Sequence, residues 1–116
     1  MRYFKEDEFE CKCGCGTNNM QEEMKRRLDN ARHFAKTPFV ITSGCRCRTH
    51  NNNEGGKSTS SHLTGWAVDI AVENSQARYK ILEGLRNAGF DRIGIGSNFI
   101  HADCDPNKTR YVVWTY

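Results

Sequence analysis

The chain has 116 residues, a length that suits one domain with a modest hydrophobic core and leaves no room for a second. Hydrophobic residues make up 37% and charged residues 27%, and no apolar run approaches the roughly 20 residues of a membrane-spanning helix. The net charge of +3 is small and spread out, so it does not indicate nucleic-acid binding, although it favours approach to an anionic cell wall. We expect a single monomeric domain over residues 1–116.

The first part of the chain predicts a lead-in segment, a helix and a strand. Residues 3–16 form the lead-in, which contains no apolar export signal and ends in a loop rich in cysteine and glycine. Over residues 20–36 the apolar side chains recur at three- and four-residue steps, which predicts a helix that ends before Pro38. The β-branched run at 39–42 predicts a short strand. We therefore expect synthesis in a cytoplasm without a signal peptide.

A polar stretch and an alternating stretch come next. Residues 50–61 contain almost no apolar side chain, which is typical of a functional loop. Residues 66–72 alternate, and this predicts a strand with Val68 and Ile70 on one face and Asp69 on the other.

The last part predicts a second helix and three strands. The helix is capped by Asn74 or Ser75 and ends near Ala88. The three strand-like segments are separated by turn residues and lie at 92–96, 99–104 and 111–116. This order predicts an α+β fold in which helices cover one face of a small, mostly antiparallel sheet.

The chain contains six cysteines: Cys11, Cys13, Cys15, Cys45, Cys47 and Cys104. Without an export signal a disulfide framework is not the default. The C-x-C spacing also differs from the C-x-x-C of zinc ribbons and thioredoxin-like sites. Three interpretations stay open: packing or disulfides formed after release, a second metal site, or no special role.

Two histidines and one aspartate have the make-up of a catalytic metal site. His62 and Asp69 lie seven residues apart with Gly65 between them, and His101 lies in the apolar run at 99–104. Imidazole and carboxylate both bind zinc at neutral pH, and a catalytic zinc site uses three such ligands and leaves a fourth position open. A turn at Gly65 would let Asp69 converge with His62. Each histidine alone is better explained as a core or surface residue, so the metal hypothesis depends on all three residues together.

These motifs resemble a known family. The pattern S-x-H-x-x-G-x-A-x-D at 60–69, followed by F-I-H-A-D at 99–103, resembles peptidase family M15, the zinc D-Ala-D-Ala carboxypeptidases and L,D-endopeptidases. The segments 8–16, 43–46 and 110–116 are similar to its short bacterial and phage members. The resemblance implies a Hedgehog/DD-peptidase-like fold and an endolysin-like hydrolase that cuts peptidoglycan stem peptides at the cell wall.

The resemblance also implies the residues of the site. It implies one zinc ion held by His62, Asp69 and His101, and it places Ser60 near the metal, as a substrate-binding residue or a turn residue. Arg46 would be a catalytic and substrate-binding residue, because its planar, permanently charged fork suits a carboxylate or a developing oxyanion. Bound zinc would polarise the scissile carbonyl and activate water near neutral pH.

The general base departs from the family pattern. Many relatives carry an acidic residue three positions before the last histidine ligand, where this chain has Asn98. The short members share an aspartate two residues after that histidine, here Asp103, which on a strand points to the same face as His101. Asp103 is therefore our candidate base or proton shuttle, with orientation of His101 as its alternative role. Glu54 is a further candidate base.

Two other functions remain open because Asn98 cannot accept a proton. The chain could be a binding module that keeps the zinc fold without hydrolysis, as the similar Hedgehog signalling domain does. It could also be a phage structural module that grips the cell wall. Whether an enzyme of this kind would remove a terminal D-Ala or cut between L-Ala and D-Glu stays open as well.

Overall fold

The computed structural model describes residues 1–116 as helices packed on one face of a five-stranded sheet. The elements in chain order are a 3-10 turn (Glu6–Phe9), α1 (Glu22–Ala35), β1 (Ile41–Ser43), α2 (Arg48–Asn53), β2 (Ala67–Ala71), α3 (Ser75–Asn87), β3 (Arg92–Ile95), β4 (Phe99–Asp103) and β5 (Val112–Thr115). The strand order β1-β2-β4-β3-β5 makes β4 central, and only the β3–β5 pair is parallel. The predicted α+β class is confirmed.

Helices α1 and α3 pack against each other and form the layer that covers the sheet. The buried face of α1 includes Met24, Leu28 and Ala31, which follow the predicted helical spacing. Helix α3 begins where the Asn74 side chain accepts a hydrogen bond from the Ala77 N–H at 2.8 Å. None of the helices combines the length and apolar character needed to cross a bilayer.

The sheet has two different faces because successive side chains on a strand point to opposite sides. Val68 and Ile70 on β2 and Ile100 on β4 are fully buried in the core of 19 residues beneath the helices. The opposite face carries Asp69, which the antiparallel register places directly across from His101. The predicted alternation over residues 66–72 is confirmed. Asp69 and His101 therefore both point away from the core.

The polar stretch at 50–61, predicted to be a loop, begins inside a short helix. Helix α2 runs from Arg48 to Asn53 and is capped by the Cys47 sulfur, which accepts the His50 N–H at 3.4 Å. The buried Asn51 side chain donates to the Lys57 carbonyl oxygen at 2.9 Å and fixes the following turn. The prediction of a loop was wrong for this turn of helix, because caps and buried amide contacts supplied the order that apolar periodicity lacked.

Candidate metal centre

His62, Asp69 and His101 converge on the open face of the sheet, and their ligand atoms all lie within 4.8 Å of one another. Oδ1 of Asp69 is 3.2 Å from Nδ1 of His101 and 3.4 Å from Nε2 of His62. Ligands bound tetrahedrally at about 2.0–2.1 Å from zinc would stand about 3.3 Å apart. The spacing and chemistry of these three donors therefore fit one zinc-sized ion.

His62 is held by a turn and by a backbone carbonyl. Gly65 has a φ of 77°, the left-handed conformation that glycine adopts without strain, and the chain folds back there towards β2. Nδ1 of His62 lies 2.8 Å from the Gly44 carbonyl oxygen, so this nitrogen carries the proton that it donates. The ring is only 3% exposed. In the neutral imidazole this leaves Nε2 unprotonated and able to bind a metal beside Asp69.

His101 presents its other ring nitrogen. Its Nε2 lies 2.7 Å from Oδ2 of Asp103 and donates to that carboxylate, which leaves Nδ1 directed at Asp69. The ring packs against His62 and Trp114 with centroid separations of 5.3 and 5.4 Å. The hydrogen bond and the two ring contacts fix the orientation of the imidazole.

Asp103 is a buried carboxylate that accepts three hydrogen bonds. Its residue is 1% exposed, and Oδ1 accepts from Arg92 Nε at 2.8 Å and from the Asp105 backbone N–H at 3.2 Å. Oδ2 accepts from His101. The predicted proximity of Asp103 and His101 is present, but Asp103 contacts the nitrogen that faces away from Asp69. This geometry favours the orienting role over the role of a base.

Both aspartates are ionised at neutral pH. Burial opposes ionisation of Asp69, but hydrogen bonds with His101 and His62 hold the pKa of its carboxyl well below the usual range. Burial also opposes ionisation of Asp103, and its hydrogen bond with His101 and the charge of Arg92 nevertheless lower its pKa. Asp69 can therefore serve as an anionic metal ligand, while Asp103 can hold the proton on Nε2 of His101.

Arg46 follows β1 and is the cation next to the three donors. Its Nε donates to Ser43 Oγ at 2.9 Å, Nη1 to Asn51 Oδ1 at 3.3 Å and Nη2 to Asp69 Oδ2 at 3.3 Å. A guanidinium has five N–H donors, so two remain for another partner. The sequence did not indicate Ser43 and Asn51 as partners of Arg46, because their roles depend on contacts that only the fold creates.

The donors and Arg46 line one cavity of about 560 Å³. Ser60 also lines it, and its Oγ accepts the His62 backbone N–H at 3.3 Å, which leaves the hydroxyl proton free. Six residues that the sequence did not indicate also line the cavity: Lys57, Thr59, Arg92, Phe99, Lys108 and Tyr116. Every residue predicted for the site therefore borders this cavity. Its wall carries Arg46, Lys57, Arg92 and Lys108 together with Glu54, Asp69 and Asp103, so the cations outnumber the carboxylates by one.

Comparison with known proteins identifies the family. A family model described as Peptidase M15 matches residues 2–103. The chain belongs to the peptidase M15 family. A curated relative, the zinc D-Ala-D-Ala carboxypeptidase of Streptomyces albus G, is 35% identical over 68 residues. That match covers 58% of this chain and 26% of the relative, so the chain spans about a quarter of the length of the curated relative it matches. The resemblance inferred from the sequence motifs is confirmed.

Asn98 and Glu54 are two further polar residues of this M15 domain whose roles the sequence left open. Asn98 borders a neighbouring depression together with Asp69 and Arg46, and not the main cavity. Glu54 borders both, and its carboxylate is 54% exposed and 3.7 Å from Nε2 of His50. Glu54 is therefore a cavity carboxylate that neither contacts His101 nor is enclosed by the fold.

Proposed function

We propose that this M15 domain, extending over residues 1–116, is a zinc peptidase that hydrolyses peptide bonds in peptidoglycan stem peptides. The observation that carries the proposal is the set of three donors spaced for one tetrahedral ion at the wall of a basic cavity. The name of the Streptomyces albus G relative, a zinc D-Ala-D-Ala carboxypeptidase, supports the metal and the substrate class.

One zinc ion would be held by Nε2 of His62, Oδ1 of Asp69 and Nδ1 of His101. When bound, zinc supplies Lewis acidity that polarises a carbonyl group and makes water nucleophilic near neutral pH. The protein's part is to fix the tautomer of each neutral imidazole, so that its proton lies on the ring nitrogen opposite the donor nitrogen. The Gly44 carbonyl and the Asp103 carboxylate do this by holding the proton on the opposite ring nitrogen.

Arg46 would bind the substrate. Its two unengaged N–H groups can donate to a substrate carboxylate or to the oxyanion that forms during attack. Stem peptides carry carboxylates, and Lys57 and Lys108 add positive charge to the same cavity, whereas the charge of Arg92 is offset by Asp103. Ser60 would contribute a hydroxyl donor at its edge. These groups favour anionic peptides over neutral ones.

The proton on the attacking water needs an acceptor that is free to take it. Asp103 already accepts hydrogen bonds from His101, Arg92 and the Asp105 N–H, so accepting a further proton would break one of them. Glu54 lines the cavity without such partners. We therefore assign the orienting role to Asp103 and make Glu54 the candidate general base.

The proposal also covers the oligomeric state of the enzyme, its origin and its place of action. It describes a monomeric, endolysin-like enzyme, of phage or bacterial origin, which acts on the cell wall and does not bind nucleic acid. A second function, a zinc-containing cell-wall-binding or phage structural module without hydrolysis, is favoured by one observation. Asn98 occupies the position of the usual acidic residue and does not border the main cavity.

The test is hydrolysis of purified peptidoglycan and of a synthetic pentapeptide stem, followed by mass spectrometry of the products. We expect cleavage with zinc, none after chelation, and recovery when zinc is restored. Loss of a single D-Ala would identify a carboxypeptidase, and separation of L-Ala from D-Glu an endopeptidase. Asp69→Ala is the matched inactive control. Zinc-loaded, folded protein that binds peptidoglycan without releasing any product would contradict hydrolysis and support the second function.

A further inference from the structure

Four of the six cysteines form a second cluster away from the candidate metal centre. Cys11, Cys13 and Cys15 lie in the loop after the 3-10 turn, and Cys47 caps α2. Their sulfur atoms all lie within 4.8 Å of one another, and all four are free thiols. None of the four borders the cavity that contains Asp69. The cluster therefore needs an explanation independent of the proposed peptidase activity.

The spacing of the sulfur atoms suits coordination to a shared ion. The Cys11 and Cys13 sulfurs are 3.4 Å apart, and the Cys13 and Cys47 sulfurs are 3.7 Å apart. Four sulfurs bound tetrahedrally at about 2.3 Å from zinc would stand about 3.8 Å apart. A disulfide requires about 2.05 Å between two sulfurs and leaves no reason for a second pair to converge on the same point. The arrangement therefore matches a tetrathiolate centre.

Backbone groups around the cluster are directed at the sulfurs. The N–H of Cys47 donates to the Cys11 sulfur at 3.4 Å, and the N–H of His50 donates to the Cys47 sulfur at 3.4 Å. Such hydrogen bonds stabilise negative charge on sulfur, the form in which cysteine binds a metal. These two donors belong to the backbone of α2 and its cap, so the fold itself provides them.

We propose that Cys11, Cys13, Cys15 and Cys47 bind one zinc ion in a closed, structural site. Four thiolates in a tetrahedral arrangement select zinc among the common divalent ions. Four protein ligands leave no open position for water, so this ion has no part in hydrolysis. The C-x-C spacing departs from the usual zinc-ribbon motif, but the fourth ligand comes from a segment 32 residues after Cys15 and closes the site.

The site joins the N-terminal loop to the segment that carries Arg46. Residues 11–17 contain no helix or strand, and the loop is held by the Cys11 N–H donating to the Thr17 carbonyl oxygen at 2.8 Å. Cys47 directly follows Arg46. The Cys45 N–H donates to the Phe9 carbonyl oxygen at 2.9 Å, so the two segments already meet beside the cluster. Phe9 and Cys45 belong to the hydrophobic core, whereas residues 12–16 are exposed, so zinc would fix this exposed loop to the junction.

Cobalt(II) distinguishes the two sites, because only thiolate ligands give a sulfur-to-metal charge-transfer band in the near ultraviolet. We expect apo protein titrated with cobalt(II) under reducing conditions to develop this band and to saturate it at one equivalent per chain. Cys13→Ser and Cys15→Ser should each weaken the band and lower the cobalt(II) affinity, and the double variant should lose most of the band, because only two thiolates remain. Both side chains are exposed, so their replacement leaves the core intact. Cys104→Ser is the matched control and should keep it.

Asp69→Ala should also keep the band, which separates this site from the proposed catalytic one. Circular dichroism and cooperative thermal unfolding verify that each variant is folded. The proposal is overturned by any of three results. These are a wild-type protein without a charge-transfer band, wild-type band intensity and cobalt(II) affinity in both Cys13→Ser and Cys15→Ser, or a thiol titration of freshly purified protein that finds the four cysteines oxidised in pairs.

Discussion

His62 and His101 present different ring nitrogens to the same oxygen of Asp69. Nε2 of His62 and Nδ1 of His101 face Oδ1, while the opposite nitrogens are bound to the Gly44 carbonyl and the Asp103 carboxylate. At the scale of single residues, the site therefore depends on which ring nitrogen of each histidine carries the proton, as well as on which atoms could bind the metal. This arrangement explains why a metal ion and a particular pair of tautomers belong together.

Replacement of any one donor should empty the site. We expect His62→Ala, Asp69→Ala and His101→Ala each to lower the zinc content by one ion per chain, because two protein ligands are too few for tight binding. Peptide hydrolysis should fall to background in all three. His33→Ala is the control, since this histidine bonds Tyr3 Oη at 2.8 Å on the surface. Any of the three variants with the zinc content of wild-type protein would remove that residue from the ligand set.

Asp103→Asn tests whether this residue orients His101. The amide still accepts a hydrogen bond but carries no charge to hold the proton on Nε2 of His101. We expect zinc affinity to fall about 10–100-fold and activity to return in excess zinc. A base would behave differently, with normal zinc affinity and turnover lower by about 10²–10⁴-fold. Glu54→Gln, measured alongside, should show that second pattern. If Asp103→Asn instead shows normal zinc affinity and lower turnover, Asp103 is the base.

At the scale of secondary-structure elements, the site depends on the register of four strands. Asp69 on β2 lies opposite His101 on β4, and Gly94 on β3 lies opposite His101 on the other side. Trp114 on β5 pairs with Gly94 and lies over the space that a side chain would occupy there. The absence of a side chain at residue 94 therefore lets the indole ring reach His101.

Gly94→Ala should disturb the site from a distance. A Cβ at this position would lie 2.6 Å from Nε1 of Trp114, so the indole must move away from His101. We expect a loss of about 1–3 kcal/mol in the free energy of unfolding, as for other overpacked sites, with altered tryptophan fluorescence and weaker zinc binding. Ile95→Val, on the core face of the same strand, should leave fluorescence and zinc affinity unchanged. Normal fluorescence in Gly94→Ala would show that Trp114 does not depend on this space.

The sequence predicted the long elements and the three candidate ligands that the fold brings together, because both follow from local patterns. Alternation placed Asp69 on the face opposite Val68, and the motif spacing selected His62 and His101. The sequence could not predict that Arg92 would hold Asp103, because this pair depends on the register between β3 and β4. Helix α2 was missed for a similar reason, since its cap comes from a cysteine and its order from buried amide contacts.

At the scale of the whole molecule, helices α1 and α3 and the site occupy opposite faces of the sheet. The two helices approach most closely at Gly84, where an added Cβ would lie 2.3 Å from the Ala31 carbonyl oxygen and 2.7 Å from the Ala35 Cβ. The core beneath this contact holds the buried residues of β2 and β4. A mutation at this helix contact should therefore change the stability of the fold without changing zinc binding or hydrolysis.

Gly84→Ala should destabilise the fold without changing the chemistry. Alanine improves helix propensity by about 1 kcal/mol. Pushing two backbones apart costs about 1–3 kcal/mol, and contact with a carbonyl oxygen places this site towards the upper end. We expect a net decrease in thermal stability, with zinc content and hydrolysis intact at low temperature. Lys80→Ala on the exposed side of α3 is the control. An increase in stability would mean that the helices can separate without cost.

The central position of β4 gives the two sides of the cavity different mobility. Strand β4 is hydrogen-bonded on both edges, whereas β5, which carries Trp114, is an edge strand bonded only to β3. The backbone amide hydrogen of His101 should therefore exchange with deuterium only on global unfolding. The amide hydrogens of β5 should exchange by local opening, which has a lower free-energy cost. The ligands would then stay fixed while the rim adapts to stems of different bulk. Equal protection of the two strands in exchange mass spectrometry would instead describe a cavity that is rigid throughout.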